Sequence, residues 1–237
     1  MNKKTYLEQL STALRLRGLT DIDEIVEEYD QHFSMKQTDG YTEEEIAARL
    51  DTPTSIALQF EPASANRKSP AKGSKALRAV GLGFFDLLLG MVYVVLYAWV
   101  IVLGAFSLAC LGAGLSLALG IRWNELIIPY MPFLGGLIFG ISLLALSVLS
   151  FVVTIYLHLY LVQMCKAYFR WHKNTLSPQA LPPRSLHPAL SAKFKRRMRK
   201  IAMTSALIFG VTISAAIMIL MAYAGFKPFW HEWNWFH

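Results

Sequence analysis

The sequence predicts an all-α protein: a small N-terminal four-helix cytoplasmic domain followed by an α-helical membrane region of about three spans, with long helices in the first two. Three observations predict it. Only 16% of the residues are charged and 54% are hydrophobic, where an ordinary soluble domain carries about 25% charged residues. Long uncharged runs fill the second half, which leaves too little polar surface for folding in water. Charge is also divided along the chain: residues 1–60 hold 6 basic and 12 acidic side chains, and the remainder holds 17 basic and 4 acidic. An acidic head therefore precedes a basic membrane body. The positive charge lies beside apolar spans, so anionic lipid is its expected partner, and direct nucleic-acid binding is not expected.

The head, residues 1–60, reads as four short helices. The first runs over about 3–17, with Tyr6, Leu7, Leu10 and Leu14 at helical spacing and Gly18 placed to end it. The second starts after Thr20 or Asp21. Ile22, Ile25, Val26, Tyr29 and Phe33 form its apolar stripe, and Asp23, Glu24, Glu27, Glu28 and Asp30 occupy the other face up to Gly40. Thr42-Glu43-Glu44-Glu45 fits a capping box that opens a third helix carrying Ile46, Ala47 and Leu50. Thr52-Pro53 reads as cap and first position of a fourth, with Ile56, Ala57 and Phe60 inward. The plain reading of the acidic face is a solvated surface. The functional reading is a docking surface for a soluble partner. No carboxylate pair there stands beside a base, a metal ligand or a phosphate loop, so no chemistry is assigned to it.

These residues carry a resemblance. Tyr6-Leu7-Glu8-Gln9-Leu10, Glu27-Glu28-Tyr29 ahead of Phe33, Thr42-Glu43-Glu44-Glu45, and Leu50-Asp51-Thr52-Pro53 followed by Ile56-Ala57 are together similar to the HAAS family, the helix-turn-helix-associated alpha-helical signalling domains of bacteria. Asp51 stands where the family pattern has Gly. The resemblance covers about the first 60 residues. It implies a cytoplasmic signalling or sequestering module associated with PadR-like winged-helix transcription regulators, with a hydrophobic membrane region after it.

A basic linker follows over 61–76, broken by Pro62, Ser64, Pro70 and Gly73 and carrying Arg67, Lys68, Lys72 and Lys75. The membrane region is 77–237, with spans at about 82–120, 132–163 and 201–224. A bilayer core about 30 Å thick needs about 20 helical residues, so the third stretch fits one crossing and the first two are long. The segment 165–200 holds ten basic residues and no acidic one, which places it in the cytoplasm. Residues 121–131 hold only Arg122 and Glu125 as charges, with Trp123 and Tyr130, and suit the outer interface. One crossing per stretch satisfies both. The alternative is a fold-back of the first stretch near Gly104. The expected site is a cell's inner (plasma) membrane, multi-pass, with the N-terminus cytoplasmic and the C-terminus outside. Residues 1–10 do not form a cleavable signal peptide.

Several features could carry function. Lys193, Lys195, Arg196, Arg197, Arg199 and Lys200 alternate with Leu190, Phe194, Met198 and Ile201, which reads as a basic helix lying on the inner leaflet. The same charge could instead meet the acidic head. Asp86 and His158 are intramembrane polar residues, a class that is costly and often functional. Asp86 reads as an interfacial group beside Arg78, and His158 as either a packing or a proton-linked histidine. The tail holds Phe226, Phe229, Trp230, Trp233, Trp235 and Phe236, which suits an aromatic belt, with a metal site at His231, Glu232 and His237 as the sharper alternative. Gly104-Ala105, Gly112-Ala113-Gly114, Gly135-Gly136 and Gly140 permit close helix packing or a homo-oligomer. Cys110 and Cys165 suggest no disulfide framework, and no cofactor is expected. Three functions compete: a membrane-anchored signalling adaptor, an accessory subunit of a transporter or envelope complex, and an enzyme acting on lipid. The last lacks an interfacial His, Asp or Glu cluster, so the chain reads as a non-enzyme.

Overall fold

The computed structural model describes residues 1–19, 21–60, 72–121, 131–176, 181 and 184–227; of 72–79 and 176 only the backbone is considered. Among the described residues it is all-helical: α1 (Lys3–Leu16), α2 (Ile22–Asp39), α3 (Glu43–Arg49), α4 (Pro53–Leu58), α5 (Lys72–Ala118), α6 (Phe133–Leu176) and α7 (Ala192–Tyr223). Two compact units result. One is Met1–Val94 with Leu159–Lys195, and the other is Val95–His158 with Arg196–His237.

In the first unit, local chemistry sets each head helix. The Asn2 side chain accepts the Thr5 N–H at 2.8 Å and starts α1. Gly18, at φ 71°, ends it, with its N–H on Arg15 O and the Leu19 N–H on Leu14 O. Gly40 closes α2 in the same left-handed region, at φ 99°. Thr42 and Glu45 form the capping box in both directions. Thr52 caps α4 ahead of Pro53. The core is built on Tyr6, Leu10, Leu14 and Phe33, all fully buried, with Ile25, Ile46, Ile56 and Ala57. The Tyr6 hydroxyl donates to the Asp51 carbonyl at 2.7 Å. Burial, then Tyr29 and Asp51, push its pKa up, which keeps it a donor. Asp51 itself needs no left-handed backbone, because Phe226 is the single described non-Gly residue with positive φ. An Asp in place of the family's Gly is therefore unstrained.

Among the described residues, three helices are long and apolar enough to cross a membrane, at Val80–Ala118, Phe133–Thr175 and Ala192–Tyr223. At 1.5 Å per residue, α5, α6 and α7 measure about 70, 66 and 48 Å. None contains proline, and α5 runs unbroken through Gly104. The fold-back of the first stretch is thus not what forms. α6 continues well past residue 163, because 164–176 lacks both Gly and Pro and is rich in helix formers. The basic stretch around Lys193 is also not a separate surface helix. It forms the first turns of α7, with Ser191 Oγ accepting the Phe194 N–H at 3.1 Å as its cap.

In the second unit, α5 and α6 meet through small residues. Ser107 Oγ donates to Ser147 O at 2.9 Å, and Ser147 Oγ donates back to Ser107 O at 2.8 Å. A Cβ on Gly140 would lie 2.8 Å from Gly114 O, and one on Gly114 would lie 2.9 Å from Gly140 O. These backbones touch, so the glycines expected to permit close packing are used for it. A Cβ on Gly135 would stand 2.6 Å from Leu220 Cδ2 of α7. Segment 122–130, the linker over 61–71 and the tail from 228, including His231, Glu232 and His237, lie outside the described residues.

Candidate functional site

The sequence marks the acidic face of α2, and the structure divides it. α2 buries Ile25 and Phe33 toward the head core. This fixes the azimuth of every carboxylate, because residues three and four apart share a face. Asp23 and Glu27 are exposed, and Glu27 accepts from Gln31 Nε2 at 2.8 Å. Asp30 pairs with Lys3 Nζ of α1 at 2.7 Å. Glu24 and Glu28 turn to a third direction, toward α6.

There they hold Arg170. Its Nε and one terminal nitrogen donate to Glu24 Oε1 at 3.1 and 2.9 Å, and the other terminal nitrogen donates to Glu28 Oε2 at 3.0 Å. The guanidinium side chain is only 4% exposed, while the two carboxylates remain 31% and 43% exposed. A planar fork with several fixed donors suits this double engagement, and a lysine could not reproduce it. One turn further on, Lys173 Nζ lies 2.5 Å from Asp21 Oδ1 and 3.5 Å from Glu24 Oε2. Asp21 is the residue before α2 and makes no side-chain cap bond there; its carboxylate is committed to Lys173. The match is one of register, with Asp21 just ahead of α2 and Glu24 and Glu28 on it facing Arg170 and Lys173 on α6.

Two further contacts fasten the head. Leu181 is 4% exposed and belongs to the head core. Asn174 clamps it by donating to Leu181 O at 2.7 Å and accepting the Leu181 N–H at 3.0 Å. At the other end of α2, Asp39 Oδ1 accepts the Lys193 N–H of α7 at 3.0 Å. Backbone N–H groups of Lys193 and Ala192 hold the Asp39 pKa below the usual carboxylate range. The acidic head and the basic segment thus meet, as their opposite charges allowed. The surplus cations Lys193, Lys195, Arg196, Arg197, Arg199 and Lys200 have exposed side chains.

The polar residues of the apolar helices are placed as follows. Asp86 accepts a short hydrogen bond from the Tyr168 hydroxyl, and its Oδ2 lies 2.9 Å from His172 Nε2. These α6 groups are its partners; the Arg78 side chain lies outside the described residues. His158 sits edge-on to Tyr97, with ring centroids 6.2 Å apart and planes at 77°. Arg170, Lys173, Leu181, Tyr168 and His172 were not singled out from sequence. The available signal was the i, i+3 spacing of Arg170 and Lys173 in a segment without acids.

Fold and site together define a class: a small helical domain carried on span-capable helices and gripped by a basic extension of one of them. Residues 5–59 match the HAAS family model. The head is similar to that family, as its motifs indicated, and the match covers under a quarter of the chain. No curated protein and no solved structure matches the chain.

Proposed function

We propose that this chain is a membrane-anchored signalling adaptor whose cytoplasmic helical domain binds or sequesters a PadR-like winged-helix transcription regulator. The observation that carries the reading is the HAAS domain at residues 5–59 joined to three span-capable helices. The chain lies in the plasma membrane as a three-span protein with the head and basic segment inside and the C-terminus outside, a direction supported by the ten cations and no acids of 165–200. The exposed cations opening α7 rest on anionic lipid. On α2, Asp23 and Glu27 form the part of the acidic face open to a partner, and Glu24 and Glu28 are held by Arg170. No catalytic step is assigned.

The test is co-purification of the tagged full-length chain in mild detergent. A winged-helix regulator should accompany the wild type and be lost with Asp23→Lys plus Glu27→Lys. Recovery of no such regulator, together with unchanged transcript levels on deletion, would refute the adaptor. Topology has its own check. Cysteines placed at Trp123 and in the tail should label from outside, and a tail labelled only from the cytoplasm would sink the three-span arrangement.

A further inference from the structure

Within the first unit a cavity of about 570 Å³ opens between α2 and the stretch running from Leu159 on α6 to Leu190 ahead of α7. Its volume is that of a small-molecule site. Its lining is of two kinds: Ile25, Phe60, Leu159 and Val162 are apolar, and Lys166, Arg170, Arg184 and His187 are basic. One carboxylate, Glu28, lines it, and Arg170 already engages that group at 3.0 Å. Lys166 and Arg184 have no carboxylate partner among the described residues. The wall is also fixed in place, since Gln163 Nε2 donates to Ser185 O at 2.6 Å and the Ser185 hydroxyl accepts the His187 N–H at 3.2 Å. On α6 the step from Leu159 and Val162 to Lys166 and Arg170 is the step from apolar span to basic end.

We propose that this cavity binds an anionic single-chain amphiphile, its acyl chain against Leu159, Val162 and Phe60 and its headgroup between Lys166 and Arg184. The chemistry is that of burial of an apolar chain combined with charge-assisted hydrogen bonds to two cations that lack a carboxylate partner among the described residues. A free phosphate would use the cations alone and leave the apolar wall uncovered. The site stands independently of the regulator reading, because no residue of it depends on what α2 docks.

The experiment uses the full-length protein in a non-ionic detergent, titrated with lysophosphatidylglycerol and followed by native mass spectrometry. Saturable one-to-one binding is expected, with lysophosphatidylcholine and inorganic phosphate each at least about tenfold weaker. Lys166→Gln with Arg184→Gln should weaken lysophosphatidylglycerol about tenfold or more. Val162→Trp, which narrows the cavity at its apolar wall and removes no charge, should weaken it as well. Lys4→Gln with Arg15→Gln, exposed on α1 and outside the cavity, should leave it unchanged. Equal binding of the zwitterionic lipid, equal binding of phosphate, wild-type affinity in either cavity variant, or an equal loss in the α1 variant would each overturn the proposal.

Discussion

The head and the membrane unit bury opposite kinds of side chain. The head hides its largest apolar groups, with Tyr6, Leu10, Leu14 and Phe33 at 0% exposure. In the other unit the fully hidden side chains are small, among them Ser142 and Ala216, while Trp99, Ile101, Leu108 and Val211 are all at least 60% exposed. In water, removing apolar surface drives folding. In a bilayer the tails solvate leucine as well as another helix would, so close backbone approach and hydrogen bonds between small residues hold helices together. One chain applies both rules, and substitutions should separate them.

The largest effect belongs to the head. Phe33→Ala should cost about 3–5 kcal/mol, most or all of what so small a domain has. Hydrogen exchange over residues 1–60 should lose its protection while α5 and α6 keep theirs. The matching truncation on the other side, Leu108→Ala, should leave helix pairing nearly unchanged, because that side chain is 69% exposed. A large loss there would break the comparison. The second effect is its mirror image. Gly140→Val adds atoms where a Cβ already meets Gly114 O at 2.8 Å and Ala118 N at 2.9 Å. Both are backbone atoms and cannot swing aside, so α5 and α6 must part. Overpacking of this kind costs about 1–3 kcal/mol. The SDS fraction at which the purified protein unfolds should fall, with the head's exchange pattern intact.

How much of this the sequence disclosed follows from distance along the chain. The four head helices were legible because their signals are local: Gly18, Gly40, the Thr42–Glu45 box and Thr52-Pro53 each act within a turn or two. The three apolar helices were legible for the same reason, by length and composition. The grip of α6 on α2 was not, because Arg170 and Glu24 are 146 residues apart and nothing local ranks Arg170 above its nine cationic neighbours. Bulk charge pointed to a meeting of head and basic segment. The register that pairs Asp21, Glu24 and Glu28 with Arg170 and Lys173, and the insertion of Leu181 into the head core, belong to tertiary structure.

Arg170 tests whether the grip follows the rule of the head or of the membrane. Arg170→Met keeps the stem volume and removes the charge. Taking Arg170 out of water is expensive, so the pair contributes little net stability, and the partly exposed Glu24 and Glu28 can rehydrate once freed. The expected loss is therefore about 1 kcal/mol, read as faster exchange in α2 alone. Its larger consequence is at the acidic face, where Glu24 and Glu28 become accessible. If α2 docks a regulator, R170M should bind it more tightly than the wild type, and unchanged binding would separate the grip from docking.

The smallest effect is one of pH and comes from His32. Burial, and then Lys36, lower its pKa below the ordinary histidine value of 6.5. Its cavity neighbours Lys166 and Arg184 are also cationic, and the nearby Glu28 is already engaged by Arg170. The folded head therefore binds the proton less readily than the unfolded chain does. Stability contributed by neutral His32 is complete above the ordinary histidine range. It falls as pH drops from about 6.5 toward the folded-state value, and levels off below that. The protection factors of α2 amides, which correct for the slower intrinsic exchange at low pH, should fall on going from about pH 7.5 to about pH 5.5. His32→Gln should flatten that slope without touching the second unit, whose packing relies on serine hydroxyls and glycine backbones that do not titrate. A slope that survives His32→Gln would move the pH response to another group.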